Sequence, residues 1–377
     1  MKLKKIISTV LVFVLMLVSL SFGFTAFAAT SSGGCGDGVQ WSYNSSTCEI
    51  TISGNGKMKS YSDENVIPWE TYKTSIKTVI IKSGVTSVGN RSFNNCVAIT
   101  KVTLADSVKT VGDYAFENCS ALKAVTFGKG VTLIGGYAFK GCKAIETITM
   151  PSSLTSIGNF SFAECYGLKS IAIPNNVKTI GDSAFSYCGK LKSVSFGKGL
   201  SSIGVSAFTN TALTGVDIPG NVKTIKNYAF SEIFNLTEAK LHEGTTSIGG
   251  GAFQYTSLTK ITIPSSVTSI GDKAVGYDMS GGKVNGFLIT CRKGTAGYDY
   301  ALKGGFEIKL TIASVGDVHF DGKVNSSDAL MILKSVKGAL KLTSEQKKVA
   351  DVNKNNTVYF DDASLILDFA TNKIKAF

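Results

Sequence analysis

Apolar residues recur along this chain with a period of 23 residues from position 85 onward. The segments LTSIGNFSFAECYGLKSIAIPNN (154–176) and VKTIGDSAFSYCGKLKSVSFGKG (177–199) show the register. One column holds phenylalanine in eight successive repeats, with a single 22-residue step before the seventh: Phe93, Phe116, Phe139, Phe162, Phe185, Phe208, Phe230 and Phe253. Because one repeat cannot bury its apolar face alone, the pattern predicts coils that stack into a solenoid.

Each coil is predicted to contain one short strand and a second apolar segment. In one coil the strand spans residues 168–173, and Val177, Ile180 and Phe185 fill the remainder. A period in the twenties with this L-x-x-I-x-I core is typical of leucine-rich repeats. Eight coils spaced by roughly 4.8 Å would form a slab about 40 Å long. A glycine column is expected to supply tight or left-handed bends: Gly89, Gly112, Gly135, Gly158, Gly181, Gly204, Gly249 and Gly271.

The N-terminal pattern predicts a signal peptide over residues 1–28. A basic MKLKK segment precedes an apolar run from Ile6 to Phe24, and Ala26 and Ala28 are the small residues that a signal peptidase recognises. An uncleaved anchor is the alternative, since the run is long enough to cross a bilayer. We therefore expect a secreted, extracellular protein without a membrane span in its mature part.

Composition and charge exclude several functions. The formal net charge is +12, but the lysines are scattered and form no basic run, which argues against a nucleic-acid partner. The charge favours acidic polysaccharides or anionic cell surfaces instead. The 377 residues include only two histidines, His242 and His319, and no nucleophile elbow, H-E-x-x-H motif or phosphate-binding loop. A non-catalytic protein is therefore predicted.

The repeats resemble the BspA-like leucine-rich repeats of bacterial surface and secreted proteins, as in VTSIGDKAV, IPSSV and VKTIGDSAFSYC. CGDGVQWSYNSSTCEITISGNGKM resembles the β-hairpin cap that precedes such repeats, and ITCRKGTAGYDYALKGGFEI resembles the cap that follows them. The resemblance implies a mostly β solenoid. Its expected parts are a cap with the first coil (29–84), the repeats (85–275) and a C-terminal cap (276–313).

Five cysteines follow the 23-residue period and are expected to be buried free thiols: Cys96, Cys119, Cys142, Cys165 and Cys188. Isoleucine takes the same place in a later repeat, at Ile233, which fits a packing role. No C-x-x-C pair or histidine cluster suggests zinc. Cys35 and Cys48 are predicted to form a disulfide that closes the cap hairpin in an oxidising compartment, and Cys291 has no evident partner.

Two surfaces of the solenoid are candidates for ligand binding. The solvent-facing strand positions are mostly small: Thr103, Thr126, Thr149, Ala172, Ser195, Asp217, Lys240 and Thr262. Two residues before the phenylalanine column, Tyr114, Tyr137 and Phe160 form a candidate aromatic stripe on consecutive coils. These rings are expected either to stack on a polysaccharide or protein, or only to cover the neighbouring coil.

Residues 314–377 contain a second duplication. GDVHFDGKVNSSDALMILKSVKG (316–338) and ADVNKNNTVYFDDASLILDFATN (350–372) each begin with a twelve-residue loop of EF-hand type and continue into a predicted helix. Two such loop–helix units, with no helix entering the first, resemble a type I dockerin. The resemblance implies a small all-α module that binds a cohesin module of a scaffold protein.

The oxygen ligands of such a loop come from positions 1, 3, 5, 7, 9 and 12, and they bind Ca²⁺. In the first loop these positions are Asp317, His319, Asp321, the Lys323 carbonyl, Asn325 and Asp328. In the second they are Asp351, Asn353, Asn355, the Thr357 carbonyl, Tyr359 and Asp362. His319 is a poor calcium ligand, and Tyr359 is expected to leave its place to water. We expect one or two calcium ions, and a metal-free pair of turns is the alternative.

The resemblance also implies a cohesin-binding surface at loop positions 10 and 11 and helix positions 17 and 18. These positions are Ser326, Ser327, Leu333 and Lys334 in the first half, and Phe360, Asp361, Leu367 and Asp368 in the second. Because the two halves differ chemically, one dominant binding orientation is expected. The connection FEIKLTIASVGD is not rich in proline or serine, so the solenoid is expected to be held semi-rigidly beside the scaffold.

The leading interpretation is a secreted, non-catalytic subunit of a cellulosome-like complex, associated with the cell surface through its scaffold. Its dockerin would bind cohesin with calcium, and its repeats would present a surface to plant cell wall polysaccharide or protein. The alternatives are a host- or cell-surface adhesin and an unrecognised enzyme active on polysaccharides or peptides.

Overall fold

The computed structural model describes residues 30–62, 64–311, 315–320 and 323–375. The predicted signal peptide lies outside these residues. Within them, no helix combines the length and the apolar character needed to cross a membrane.

The N-terminal cap is the predicted hairpin, extended by a third strand. Strands β1 (Thr30–Gly36), β2 (Val39–Asn44) and β3 (Glu49–Gly54) pair in antiparallel order. β3 then pairs in parallel with β5 (Thr78–Ile81), so the cap continues into the sheet of the solenoid. Trp41 packs edge-on against Trp69 with ring centroids 5.9 Å apart, which closes the end of the core.

The predicted disulfide between Cys35 and Cys48 is wrong in this structure, where both cysteines are free. Cys35 lies beside the β1–β2 turn, and Cys48 immediately precedes β3. The two therefore lie near opposite ends of β2, whose six residues at about 3.3 Å each exceed the Cα separation that a disulfide allows. The spacing of the two cysteines along the sequence suggested that a disulfide closes the hairpin. It did not reveal at which end of β2 each thiol lies.

The solenoid has two ladders of parallel strands, where one strand per coil was predicted. The first ladder is interrupted and forms four sheets. The first continues from the cap with β5, β7 (Lys101–Leu104) and β9 (Ala124–Thr126); the others are β12 (Ser170–Ala172) with β14 (Ser193–Ser195), β16 (Gly215–Ile218) with β18 (Glu238–Leu241), and β20 (Lys260–Thr262) with β22 (Leu288–Cys291) and β23 (Glu307–Leu310). The second contains β4 (Gly56–Lys57), β6 (Val85–Val88), β8 (Thr110–Val111), β10 (Leu133–Ile134), β11 (Ser156–Ile157), β13 (Thr179–Ile180), β15 (Ser202–Ile203), β17 (Thr224–Ile225), β19 (Ser247–Ile248) and β21 (Ser269–Ile270). Its two-residue strands pair in register with the equivalent strands of the neighbouring coils. The short Thr-Ile and Ser-Ile segments in the sequence did not indicate a second strand in each coil.

The phenylalanine column is the centre of the core. Its rings are fully buried and stack from coil to coil, with neighbouring centroids 5.2–5.5 Å apart. Trp69 precedes the column and stacks on Phe93 at 5.3 Å. Because each ring covers the next, the column joins the coils into one continuous core that no single coil could form.

The cysteine column is buried beside these rings, as predicted. Each thiol from Cys119 to Cys188 donates a hydrogen bond to the phenylalanine carbonyl of the preceding coil, as from Cys119 Sγ to Phe93 O at 3.2 Å. Burial raises the pKa of the Cys188 thiol to about 12. These cysteines therefore act as small apolar residues with one satisfied donor.

The glycine column has a different cause from the one expected. Its members do not adopt left-handed conformations; a Cβ at Gly158 would lie 2.5 Å from the carbonyl carbon of Gly135 in the preceding coil. Close approach of consecutive backbones therefore requires glycine there. The left-handed positions lie elsewhere in the coil and carry side chains, as at Tyr114 (φ 57°) and Asn118 (φ 57°).

After the last coil, helix α1 (Ala296–Gly304) lies between β22 and β23 and caps the solenoid. The C-terminal module consists of α2 (Ser326–Val336), α3 (Ser344–Ala350) and α4 (Phe360–Ala370). It has its own small core, separate from that of the solenoid: Val318, Ala329, Ile332, Leu342, Ala350, Val352, Ala363 and Ile366. The fold class predicted from the sequence is confirmed.

Candidate docking module and ligand-facing surfaces

The two predicted calcium loops have matching local geometry. At position 12, the buried carboxylates of Asp328 and Asp362 each cap a helix by accepting hydrogen bonds from backbone N–H groups. Asp328 accepts from His319 N at 2.7 Å and from Asn325 N at 2.9 Å. Asp362 accepts from Val352 N and from Tyr359 N, both at 2.9 Å. The duplication seen in the sequence is thus preserved as a repeated hydrogen-bonding pattern.

In the second loop, the candidate ligand oxygens lie close together. Asp351 Oδ1 and Asn353 Oδ1 both accept from the Asn355 amide nitrogen, at 3.0 and 3.1 Å. The Asn355 Oδ1 atom in turn accepts from Thr357 N at 2.8 Å. Asn356 adopts the left-handed conformation (φ 64°) at the sharp turn, where EF-hand loops usually have glycine.

These residues fit a calcium ion by their chemistry. The second loop offers carboxylate and amide oxygens with one carbonyl oxygen, which are the hard ligands that Ca²⁺ prefers. Two of its candidate ligands, Asn353 and Asn355, are asparagines. Within the described residues, no three His, Cys, Asp or Glu side chains form a cluster that could hold a metal ion. Of the first loop, Asp317 is buried, while Asp321 lies outside the described residues.

The predicted cohesin-binding residues lie in the first and last turns of α2 and α4. Ser326, Ser327 and Lys334 are exposed, and Leu333 is half-buried. In the second half Phe360 and Leu367, seven residues apart, are exposed on one side of α4. Asp361 is also exposed, but its Oδ2 accepts a hydrogen bond from Asn353 Nδ2 at 2.6 Å, so it faces the calcium loop. Asp368 pairs with Lys373 at 3.2 Å.

The first loop contacts the solenoid. The Ser265 hydroxyl donates a hydrogen bond to the Phe320 carbonyl at 2.6 Å, and the Arg292 guanidinium lies over the Phe320 ring. Burial lowers the pKa of the Arg292 guanidinium, and the nearby carboxylates of Asp317 and Glu345 act in the opposite direction. The sequence did not predict this contact, because it joins the solenoid to a module that does not share the 23-residue period.

The connection between the two parts is short. Thr311 N still donates to Cys291 O in the solenoid at 2.8 Å, and Gly316 N already donates to Val349 O in the C-terminal module at 2.7 Å. Residues 312–315 alone therefore separate two anchored backbone positions.

On the solenoid, the candidate aromatic stripe stacks on itself. The ring centroids of Tyr114 and Tyr137 lie 4.6 Å apart, and those of Tyr137 and Phe160 lie 4.7 Å apart, with nearly parallel planes. Arg91 lies over the Tyr114 ring at 4.6 Å. The faces between these rings are therefore covered within the protein, which favours the interpretation that they cover neighbouring coils.

The strand face is open, and its small residues are exposed, apart from the half-buried Thr103. Towards the C-terminal coils this face becomes charged, because Asp217 and Lys240 replace the earlier hydroxyls. His242 lies beside β18, where its Nε2 atom is 2.6 Å from Asp217 Oδ1.

The comparisons with known proteins agree with this architecture. The family profile of the BspA type leucine rich repeat region matches residues 70–188 and 155–279, together more than half of the chain. The chain belongs to the BspA-type leucine-rich repeat family. The profile of the type I dockerin domain matches residues 315–367, so the BspA-type repeats are followed by a dockerin. Both domains are of non-catalytic types.

Solved structures of bacterial leucine-rich repeat proteins share this fold. A leucine-rich repeat protein from Bacteroides ovatus is 24% identical over 74% of this chain and 68% of its own, with a TM-score of 0.53, which shows a shared fold. One from Eubacterium ventriosum is 29% identical over 64% of this chain and 68% of its own, with a TM-score of 0.50. No curated protein matches the chain.

Proposed function

We propose that this protein is a secreted, non-catalytic subunit that binds a cohesin module of a scaffold protein through its dockerin. Its leucine-rich repeats then present a recognition surface to plant cell wall polysaccharide or to protein. Dockerin-bearing leucine-rich repeat proteins are typically extracellular, which supports the proposed location.

The apolar side of α4 carries this proposal. Phe360 is 42% exposed and Leu367 is 37% exposed, and their seven-residue spacing puts them on one side of the helix. The small core of the dockerin leaves these two side chains exposed. Exposed apolar side chains on one helix face favour binding to a protein partner. Cohesin is the partner that the dockerin family implies.

Calcium would act through the loops that precede the helices. When bound, it neutralises the carboxylates at positions 1 and 12 and orders the loop. Asp328 and Asp362 join each loop to its helix, because each carboxylate caps the helix start. The dockerin surface would therefore depend on the ion.

The contact between Phe320 and the solenoid supports one dominant orientation. The solenoid lies against the loop of the first half, whereas Phe360 and Leu367 lie on α4 in the second half. A cohesin that binds α4 would then hold the solenoid at a defined position beside the scaffold.

A capture experiment tests the proposal. The full chain without residues 1–28 is incubated with a panel of immobilised type I cohesins, in calcium and in excess chelator. We expect capture by at least one cohesin in calcium and its loss in chelator. Capture by none of the panel, or undiminished capture in chelator, would refute calcium-dependent docking. Hydrolysis of polysaccharides by the same protein would refute the non-catalytic role.

A further inference from the structure

Another row of turn residues offers aromatic side chains that do not stack on one another. This turn row lies four residues after the phenylalanine column, on five successive coils: Lys143, Tyr166, Gly189, Ala212 and Phe234. Tyr166 is 43% exposed and Phe234 is 48% exposed. Neither ring stacks with another aromatic ring among the described residues, in contrast to Tyr114 and Tyr137.

The middle of the turn row carries small residues. At Gly189 an added Cβ would meet no atom within 4 Å, so the space above this residue is open. Ala212 follows in the shortened repeat, whose turn lacks the residue that corresponds to Lys190. Two coils with small residues and one short turn therefore lie between two exposed rings. Three steps of roughly 4.8 Å give a trough about 14 Å long between Tyr166 and Phe234.

One side of the trough carries a further ring and positive charge. Tyr187, 48% exposed, is in the coil of Gly189 and lies two residues before it. The Lys143 ammonium lies 5.8 Å from the centroid of the Tyr166 ring, and Lys190 is exposed next to Gly189. The nearby carboxylate of Glu164 is paired with Lys140 at 3.4 Å. Glu232 lies two residues before Phe234, whereas Lys143 lies at the Tyr166 end and Lys190 in the middle of the trough, so the positive charge is concentrated there.

We propose that this trough, bounded by Tyr166 and Phe234 and floored by Gly189 and Ala212, binds an acidic polysaccharide chain. The C–H faces of uronic acid rings would pack on the aromatic rings, and Lys143 and Lys190 would pair with the sugar carboxylates. This assignment rests on the recognition role proposed above and specifies its ligand class. It replaces the stripe of Tyr114, Tyr137 and Phe160 as the ligand-binding surface.

Affinity electrophoresis of the full chain without residues 1–28, in gels containing polygalacturonate or neutral xylan, tests the assignment. The double variant Tyr166→Ala/Phe234→Ala is expected to bind polygalacturonate at least tenfold more weakly than the unchanged protein. Gly189→Leu, which fills the floor but keeps both rings, is expected to have a similar effect. Lys143→Ala/Lys190→Ala is expected to weaken binding and to reduce its dependence on salt.

Tyr228→Ala is the matched control, because Tyr228 is 48% exposed but belongs to the row of Tyr114. It is expected to bind as tightly as the unchanged protein. The assignment is overturned if polygalacturonate does not retard the unchanged protein, if xylan retards it equally, or if Tyr228→Ala loses as much affinity as the double variant. Cohesin capture of the same samples distinguishes this failure from failure of docking.

Discussion

The guanidinium carbon of Arg292 lies 3.0 Å from the centroid of the Phe320 ring. Arg292 follows the last-but-one strand of the solenoid, and Phe320 is position 4 of the first calcium loop. The contact thus joins the cap of the repeats to a loop whose first candidate ligand, Asp317, is buried nearby. Because only residues 312–315 connect the anchored backbones, this contact and the hydrogen bond from Ser265 to Phe320 restrain the angle between the two domains.

Replacing Arg292 is expected to uncouple the two domains. In the unchanged protein, calcium should raise the melting temperature of the solenoid as well as that of the dockerin, because the ordered loop is held against the cap. In Arg292→Ala the calcium effect should be confined to the dockerin transition. Scanning calorimetry with and without calcium measures this, with Lys303→Ala, an exposed lysine on helix α1, as the control. An unchanged calcium effect on the solenoid in Arg292→Ala would contradict the coupling.

The two calcium loops are expected to differ in affinity. Asp362→Asn should weaken the tighter site at least tenfold, about 1.4 kcal/mol, because it removes a charged ligand that also caps α4. His319→Asp should strengthen the weaker site, since a carboxylate replaces an imidazole at position 3. Isothermal titration with calcium measures both. Asp368→Asn, which alters a carboxylate paired with Lys373 outside the loop, should leave both affinities unchanged. Loss of affinity in that control would point to a general effect of charge.

The cysteine column predicts a fall in stability at alkaline pH. Burial raises the pKa of Cys96 and of Cys188 to about 12, whereas an unfolded thiol titrates near its ordinary value of 9.0. Above pH 9 the unfolded chain releases protons that the folded chain retains, so unfolding becomes more favourable as pH rises. Urea denaturation at pH 8 and pH 10 should show this loss, and Cys96→Ala/Cys188→Ala should make it smaller. An equal loss in that variant would assign the effect to other groups.

The dockerin halves are expected to contribute unequally to cohesin binding. Phe360→Ala/Leu367→Ala should weaken binding by roughly thirtyfold, since apolar residues on one helix face are the anchors when a helix binds in a partner's groove. Changes at Ser326 and Leu333 in the first half should weaken it less than threefold. Binding kinetics on immobilised cohesin measure both, with the exposed Leu302→Ala on the distant helix α1 as the control. Equal losses from the two halves would indicate interchangeable orientations.

Much of this molecule follows from spacing along the chain. The 23-residue step of the phenylalanines predicted the stacked core from Phe93 to Phe253, because residues at equal positions in successive coils must become neighbours. The same reasoning predicted buried thiols from Cys96 to Cys188. Local spacing in the loops placed Asp328 and Asp362 at the helix starts, where both carboxylates cap their helices.

Other features depend on the distances and directions of side chains in three dimensions. Spacing put Tyr114 and Tyr137 on adjacent coils but did not reveal that their rings cover each other, or that the space above Gly189 is open. It placed Cys35 and Cys48 in one hairpin but did not reveal that they lie near opposite ends of β2. The contact of Arg292 with Phe320 joins the C-terminal cap to the dockerin, two segments that share no period. Periodicity determines which residues are neighbours, whereas side-chain orientation and packing between non-repeating segments are decided only when the whole chain is folded.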